Sequence, residues 1–513
     1  ISPCLVGSEM CIRDSPRIGY DGIPANDFTR GQAFYDLMIE ADPTNDNVVY
    51  VGGIDLFRSA NGGNNWTQIS KWSNNSGLAQ LRTPLVHADQ HAMVFRPGNA
   101  NQAIFGNDGG VYYASSLSTA NNNANAIGKR VNNYNVTQYV KAGIGPNGAR
   151  DQNGIFTAGS QDNGSQAFRN AVAGINGSEQ LSGGDGFYTF VDKDGQYMTA
   201  TYTNNNIYRF NLPWDGVGQE QGGGEEILRE ATGDFVNQMG YDSDANFILS
   251  NATVRANNVN HTSIKTIDVA NNRNGNIDNQ MLTAKPTAFV ASTFANNTWY
   301  VGAADGKLFR LTNVGVGAAN WAEINTPFVG SVSSVRLGAT ANDLLVTIHN
   351  YGVTSIWYSS DAGVNWVSKE GNLPDIPVRD ILQNPLDRTE VIVATQLGVW
   401  MSNNFDNANP VWRQSYNGMS DVSVTSFDYW AIDGDDNNNI VIASTYGRGV
   451  FTGSFTANGV VDNESPTAPT NLVASNVQET SLELNWGASN DNVGVTAYDI
   501  YRDDVVVATV AAT

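Results

Sequence analysis

Short apolar runs alternate with turns rich in Gly, Asn and Asp along almost the whole chain. NVVYVGGIDLFRSANGGNNW (47–66) sets the pattern: an apolar run, a short turn, then a second run with apolar residues at every other position. Period-two alternation around a tight turn of this composition predicts a β-hairpin. The same pattern returns at NQAIFGNDGGVYYAS (101–115), GIFTAGSQDNGSQAF (154–168), QYMTATYTNNNIYRF (196–210), TWYVGAADGKLFRLT (298–312), TSIWYSSDAGVNW (354–366), EVIVATQLGVWMS (390–402) and NIVIASTYGRGVFTGS (439–454). Several hairpins follow a strand that ends in a Pro-containing turn, as in YDLMIEADPTND, HAMVFRPGNAN and VRDILQNPLDR, and several precede a strand containing Trp. The predicted unit is therefore about four strands in roughly 40–50 residues, repeated.

That period belongs to a blade of a β-propeller, and one turn narrows the type. SSDAGVNW, Ser359 to Trp366, fits S-x-D-x-G-x-x-W, and SANGGNNW, Ser59 to Trp66, is the same box with Asn61 in the Asp place. The Asp or Asn side chain accepts the turn's amides, Gly363 or Gly63 takes the left-handed conformation, and Trp pins the turn. On these boxes residues 30 to 455 resemble the bacterial Asp-box (BNR) repeat proteins related to the sortilin-type propeller and the xyloglucanase-like glycoside hydrolases. The expected fold class is all-β, an Asp-box β-propeller over 16–457. Eight or nine partial repeats are countable, the weakest near 237–270. They fit one propeller of about 8–10 blades or parts of two seven-bladed propellers.

From about Gly459 the composition changes. After a linker at 458–466, residues 467–513 resemble a fibronectin type III β-sandwich. Pro466 and Pro469 stand at its start, Leu472, Leu482, Leu484 and Trp486 are the inward positions of two strands, and Tyr498 and Tyr501 lie in a third. The stretch is shorter than such a sandwich, so the module is expected to be incomplete. At the other end, residues 1–15 hold both cysteines, Cys4 and Cys11. CLVGSEMCIRDS resembles translated sequencing adaptor; it has neither a zinc-ligand spacing nor an uninterrupted apolar core of a signal peptide. The chain is expected to be a fragment cut at both ends.

The net charge of −22 argues against nucleic acid as a partner, because phosphates call for Lys and Arg. No apolar run approaches the ~18 residues of a membrane span. An acidic, Asn- and Gly-rich chain without cysteine beyond residue 15 is expected to be secreted or displayed at the cell surface of a bacterium, as a monomer.

Strand direction puts the loops that start each innermost strand and the turns between second and third strands on one face. In three successive repeats these carry polar groups. VHADQHAMVF (86–95) places His87, Asp89 and His91 at alternate positions, on one side of an extended segment. GNDGG carries Asp108, GSQDNG carries Gln161, Asp162 and Asn163, and GGDGFYTF carries Asp185. Asp89, Asp162 and Asp185 are the candidate acid and base for glycoside cleavage. His87, His91, Asp108, Gln161 and Asn163 are candidate binding residues. His87, Asp89 and His91 are alternatively candidate ligands of a divalent metal ion. The plain alternative is that Asp-Gly and Asp-Asn-Gly are simply good hairpin turns. DGDDNNN (433–439) and YDSDAN (241–246) read as solvated turns, Trp299 as core, and Trp214 as either packing or a sugar platform. The resemblance implies an extracellular protein that acts on or binds polysaccharide in the manner of a glycoside hydrolase. The second reading is a non-catalytic adhesin or glycan-binding propeller.

Overall fold

The computed structural model describes residues 27–75, 77–148, 154–172, 174–256, 259–415, 418–419, 421–457, 465–491, 495, 497–503 and 505–511. Cys4, Cys11, Gly459 and most of the expected linker lie outside them. The chain divides into two compact units, up to Tyr134 and from Asn135 onward.

The first unit contains two four-stranded antiparallel meanders. One comprises Met38–Ala41, Val49–Gly52, Leu56–Ser59 and Thr67–Gln68; the other comprises Gln90–Arg96, Asn99–Asn107, Gly110–Ala114 and Ile127–Lys129. They share one apolar core that includes Met38, Tyr50, Leu56, Met93 and Phe105.

In the second unit six four-stranded meanders and one three-stranded meander follow in chain order among the described residues. Their first strands are Tyr139–Gly145, Thr189–Val191, Met239–Asp242, Pro286–Ala291, Val332–Leu337, Val378–Gln383 and Val424–Ala431. Residues of all seven line one cavity, so these strands surround an axis and the sheets radiate from it. The ring closes between its first and last sheets. Thr425 Oγ1 donates to Tyr139 O (2.8 Å), Ile144 N to Asp428 Oδ2 (2.9 Å), and Gln138 bridges Tyr446. Second strands covered on both faces read as continuous apolar runs. Trp299–Ala303 and Leu344–Ile348 are buried at every position.

The all-β class and the blade-like repeat hold, in the arrangement of two units. The weak repeat near 237–270 is a full sheet, whose strands Phe247–Ala256 and Val259–Asp268 run to ten residues each. Its signal was faint because part of its interior is polar. Asn237 Nδ2 donates to Asn205 Oδ1 (2.9 Å) and Asn251 O (2.8 Å), and all three Asn are buried.

Both boxes form the expected bonds. Asn61 Oδ1 accepts Asn65 N (2.9 Å), and Ser59 Oγ accepts Gly63 N (2.9 Å). Asp361 Oδ1 accepts Asn365 N (2.8 Å), and Ser359 Oγ accepts Gly363 N (2.8 Å). Trp366 packs edge-on against Phe328 at 4.8 Å and donates to Asn325 O, which joins two sheets. A third turn works the same way with a longer loop: Asn404 Oδ1 accepts Val411 N (2.8 Å), and Trp412 is buried.

Residues 465–511 pair as two separate hairpins, Thr470–Ser475 with Glu483–Gly487 and Ala497–Arg502 with Val505–Ala511. The expected inward face is only partly covered. Leu484 and Trp486 are half-buried, and Trp486 meets Tyr498 at 5.4 Å, but Leu472, Leu482 and Tyr501 are exposed. No apolar layer covers those three among the described residues, and period-two alternation alone cannot supply one.

Candidate functional site

In the first unit the chain reaches its first strand through a turn that ends at Asp36, whose N–H bonds Gln32 O (3.0 Å). It reaches the first strand of the next sheet through His87, Ala88 and Asp89. Asp89 has φ 64°, the left-handed region, and the pairing register shifts between Gln90 and Ala92. The extended segment expected for His87, Asp89 and His91 is therefore broken at its middle residue. His91 Nε2 bonds Asp108 Oδ1 at 2.6 Å. The His87 ring lies against Gly109, where a Cβ would come within 2.4 Å of it, and its Nδ1 faces Ala88 O at 3.3 Å. A three-residue metal set of His87, Asp89 and His91 is not assembled.

A cluster of carboxyl groups takes its place. Asp108 accepts Tyr35 Oη (2.8 Å) as well as His91, and the Tyr35 and His91 rings meet edge-on at 5.0 Å. Oxygens of Asp89 and Asp108 lie within 4.8 Å of each other. Asp89 is 8% exposed; burial first, and then the Asp108 charge, push its carboxyl above the usual range. Asp36 is shut away from solvent, and no donor reaches either of its oxygens. What faces it is Asp89. A second carboxyl beside a buried one disfavours its ionised form. Burial, with Asp89 second, raises Asp36 to about 7. The pair titrates as a unit and retains a proton near neutral pH. Behind it, Asp55 is buried, holds Ser70 Oγ (3.1 Å) and Gln68 Nε2 (2.9 Å), and is pushed up chiefly by burial.

The remaining candidates belong to the second unit, in the turn between Ile155–Ser160 and Gly164–Arg169 and in the loop before Thr189–Val191. Asp162 (φ 61°) donates its N–H to Asp185 Oδ1 at 3.2 Å. Gln161 O accepts the Asn163 N–H at 2.8 Å, and the Gln161 side chain is exposed. The glycines of these strings have a packing cause: a Cβ on Gly186 would lie 2.4 Å from the Gly164 carbonyl carbon. The turn and loop meet backbone to backbone, and Asp185 clamps the contact. Trp214 is packing: it is buried, donates Nε1–H to Val217 O (3.1 Å) and carries Arg169 over its ring at 5.0 Å. Trp299 is core, and in DGDDNNN Asp435 Oδ1 accepts Asn437 N, as in a local turn.

No family model matches the chain. Fibronectin type III-like stretches are similar to segments of three curated bacterial proteins. Chitinase A1 of Niallia circulans is 39% identical over 89 residues, 17% of this chain and 12% of that protein. Exoglucanase A of Cellulomonas fimi is 52% identical over 54 residues, 10% of this chain and 6% of that protein. Chitinase 63 of Streptomyces plicatus is 44% identical over 61 residues, 12% of this chain and 10% of that protein. The chain thus spans about a tenth of the length of these relatives. Among solved structures, the GH74 enzyme of Niastella koreensis matches at a TM-score of 0.49 with 15% identity, over 81% of this chain and 59% of that one. Among the described residues no helix is long and apolar enough to cross a membrane.

Proposed function

We propose that this chain belongs to an extracellular protein that acts on polysaccharide, with Asp89 as the carboxyl group that handles the proton in glycoside cleavage. The observation that carries the reading is the Asp36 carboxyl, fully buried with no donor at either oxygen, whose pKa burial and the neighbouring Asp89 push upward. Asp89 is the member of the pair that a substrate can reach. A carboxyl kept protonated by burial and by a neighbouring negative charge is what a general acid requires. Asp36 would return the proton to it, and His87, His91 and Asp108 of the same unit would bond sugar hydroxyls. Similarity of the fibronectin-like stretches to segments of chitinases and an exoglucanase supports the polysaccharide class. The Asp-box turns support the propeller kinship.

One observation favours the second reading, a propeller that binds glycan without cleaving it. Asp36 and Asp89 touch, whereas carboxyl pairs that cleave glycosides stand ~5–5.5 Å or ~6.5–9.5 Å apart. Incubation of the full chain with plant and algal polysaccharides and chitin separates the two readings. Reducing ends released from one polymer, with or without EDTA, are expected. Release lost with EDTA would show that a metal ion is required and would overturn the assignment of the chemistry to the Asp89 carboxyl alone. Retention without release would leave the binder, and neither retention nor release would overturn the polysaccharide reading.

A further inference from the structure

The cavity on the axis of the second unit has a volume of about 190 Å³, far above the ~15 Å³ that one water needs. Six charged side chains line it: Lys141, Lys193, Arg336, Arg379, Asp380 and Asp428. Two of the four cations are matched. Arg336 grips Asp380 with two bonds, Nε to Oδ1 (3.0 Å) and Nη2 to Oδ2 (2.7 Å). Asp380 has no capacity to spare, because it also accepts Ser334 Oγ (2.6 Å) and Phe427 N (2.9 Å). Lys193 pairs with Asp428 at 2.9 Å and bonds Ile144 O. Lys141 and Arg379 have no ion-pair partner among the described residues. A chain with a net charge of −22 has thus concentrated unmatched positive charge on the axis of its ring.

Such charge is costly where it stands. Burial holds both Lys141 and Arg379 below their ordinary ranges. Arg379 Nε is sealed from solvent with no acceptor. Beside Arg379, His349 is pushed down to about 4, by burial first and by the Arg379 charge second, and stays neutral. An uncompensated buried cation carries a large desolvation cost unless an anion joins it. The guanidinium fork fits a planar or tetrahedral oxyanion, and an ammonium adds a point charge. Tyr188 and Phe190 give the same cavity aromatic wall.

We propose that this axial cavity is a binding site for an oxyanion, a carboxylate or sulfate group held by Arg379 and Lys141. The group can come as a free inorganic ion or as the acidic substituent of a sugar. The site does not depend on Asp89 or on cleavage.

Calorimetric titration of the full chain at constant ionic strength tests it, with sodium sulfate, a galacturonate oligosaccharide, a sulfated oligosaccharide and a neutral cello-oligosaccharide as probes. Sulfate is expected to bind, and Arg379→Gln or Lys141→Gln to weaken it about 10- to 100-fold, the range for losing one charged hydrogen bond. Arg379→Lys should retain part of the affinity, which separates charge loss from misfolding. If an acidic oligosaccharide binds more tightly than sulfate and loses that affinity in the same variants, the group arrives on a sugar. If it does not, the occupant is a free anion. Sulfate heats no different from sodium chloride, or sulfate binding unchanged in both Gln variants, would overturn the proposal. Sulfate binding without polysaccharide release would leave the oxyanion site standing and defeat the cleavage reading alone.

Discussion

Asp36 is shut away from solvent beside another carboxyl, Asp89, and that environment sets a measurable pH dependence. Its pKa is raised from the carboxylate range to about 7. The folded state therefore holds a proton that the unfolded chain releases near pH 4, so this group lowers stability as pH rises from about 4 to 7, after which its effect levels off. Asp36→Asn should raise stability more at pH 8 than at pH 5, by on the order of 2–3 kcal/mol. Urea unfolding at the two pH values checks this; equal gains at both would mean that Asp36 is ionised throughout. Of the cluster, Asp89, His91 and Asp108 were legible as polar residues in the loops of one face. Asp36 was not, because YDLMIEADPTND reads as a strand with its turn and the Asp stands inside the apolar part. The usable signal was positional: Asp36 stands two residues before Met38–Ala41, as Asp89 stands one before Gln90–Arg96. The His-x-Asp-x-His alternation misled because a single left-handed residue, Asp89, cancels period-two geometry.

Among the elements, turns were easier to read than their contacts. The boxes at Ser59 and Ser359 were visible because each fits eight consecutive residues. The turn at Ser402 was missed because its Trp412 comes three residues late. GSQDNG and GGDGF drew notice for their Asp residues, yet their glycines answer to close packing. Gly186→Ala should therefore destabilise the protein by about 1–3 kcal/mol or more, since the new methyl meets backbone at Gly164. Gly177→Ala, with open space around the added carbon, should stay within about 0.5 kcal/mol. Thermal unfolding of the two variants side by side decides the matter. Equal effects would show that the turn and loop are not in contact.

On the scale of the second unit, sequence periodicity supplied the sheets but not the ring. Closure rests on pairs such as Thr425 with Tyr139, 286 residues apart, and no local pattern encodes such a distance. The same holds for the axis, whose six charges come from four strands and one adjoining loop far apart in the chain. One group ties several sheets there: Asp380 binds Arg336 and Ser334 of one neighbouring sheet and the Phe427 N–H of the next. Its carboxyl is held far below the usual range by Arg336 and then Lys141, against the opposing effect of burial. The stability it contributes is thus present above pH 4 and persists until pH falls through that depressed value. Asp380→Asn should cost about 3 kcal/mol, because Arg336 is left without its counter-charge. Arg336→Met with Asp380→Leu should cost less than Asp380→Asn alone. The order of the two unfolding midpoints is the check, and a reversed order would show that the pair is not acting as a buried ion pair.

The carboxyl pair at Asp36 and Asp89 is the feature on which the functional reading depends. The decisive measurement is the rate of reducing-end release from the polymer that the full chain cleaves, compared with the rate for Asp89→Asn at matched melting temperature. A fall of about 100-fold or more is expected, within the 10²–10⁴ range of a lost acid–base group. An unchanged rate would contradict the assignment of Asp89 and remove the reason for placing the reaction at this site.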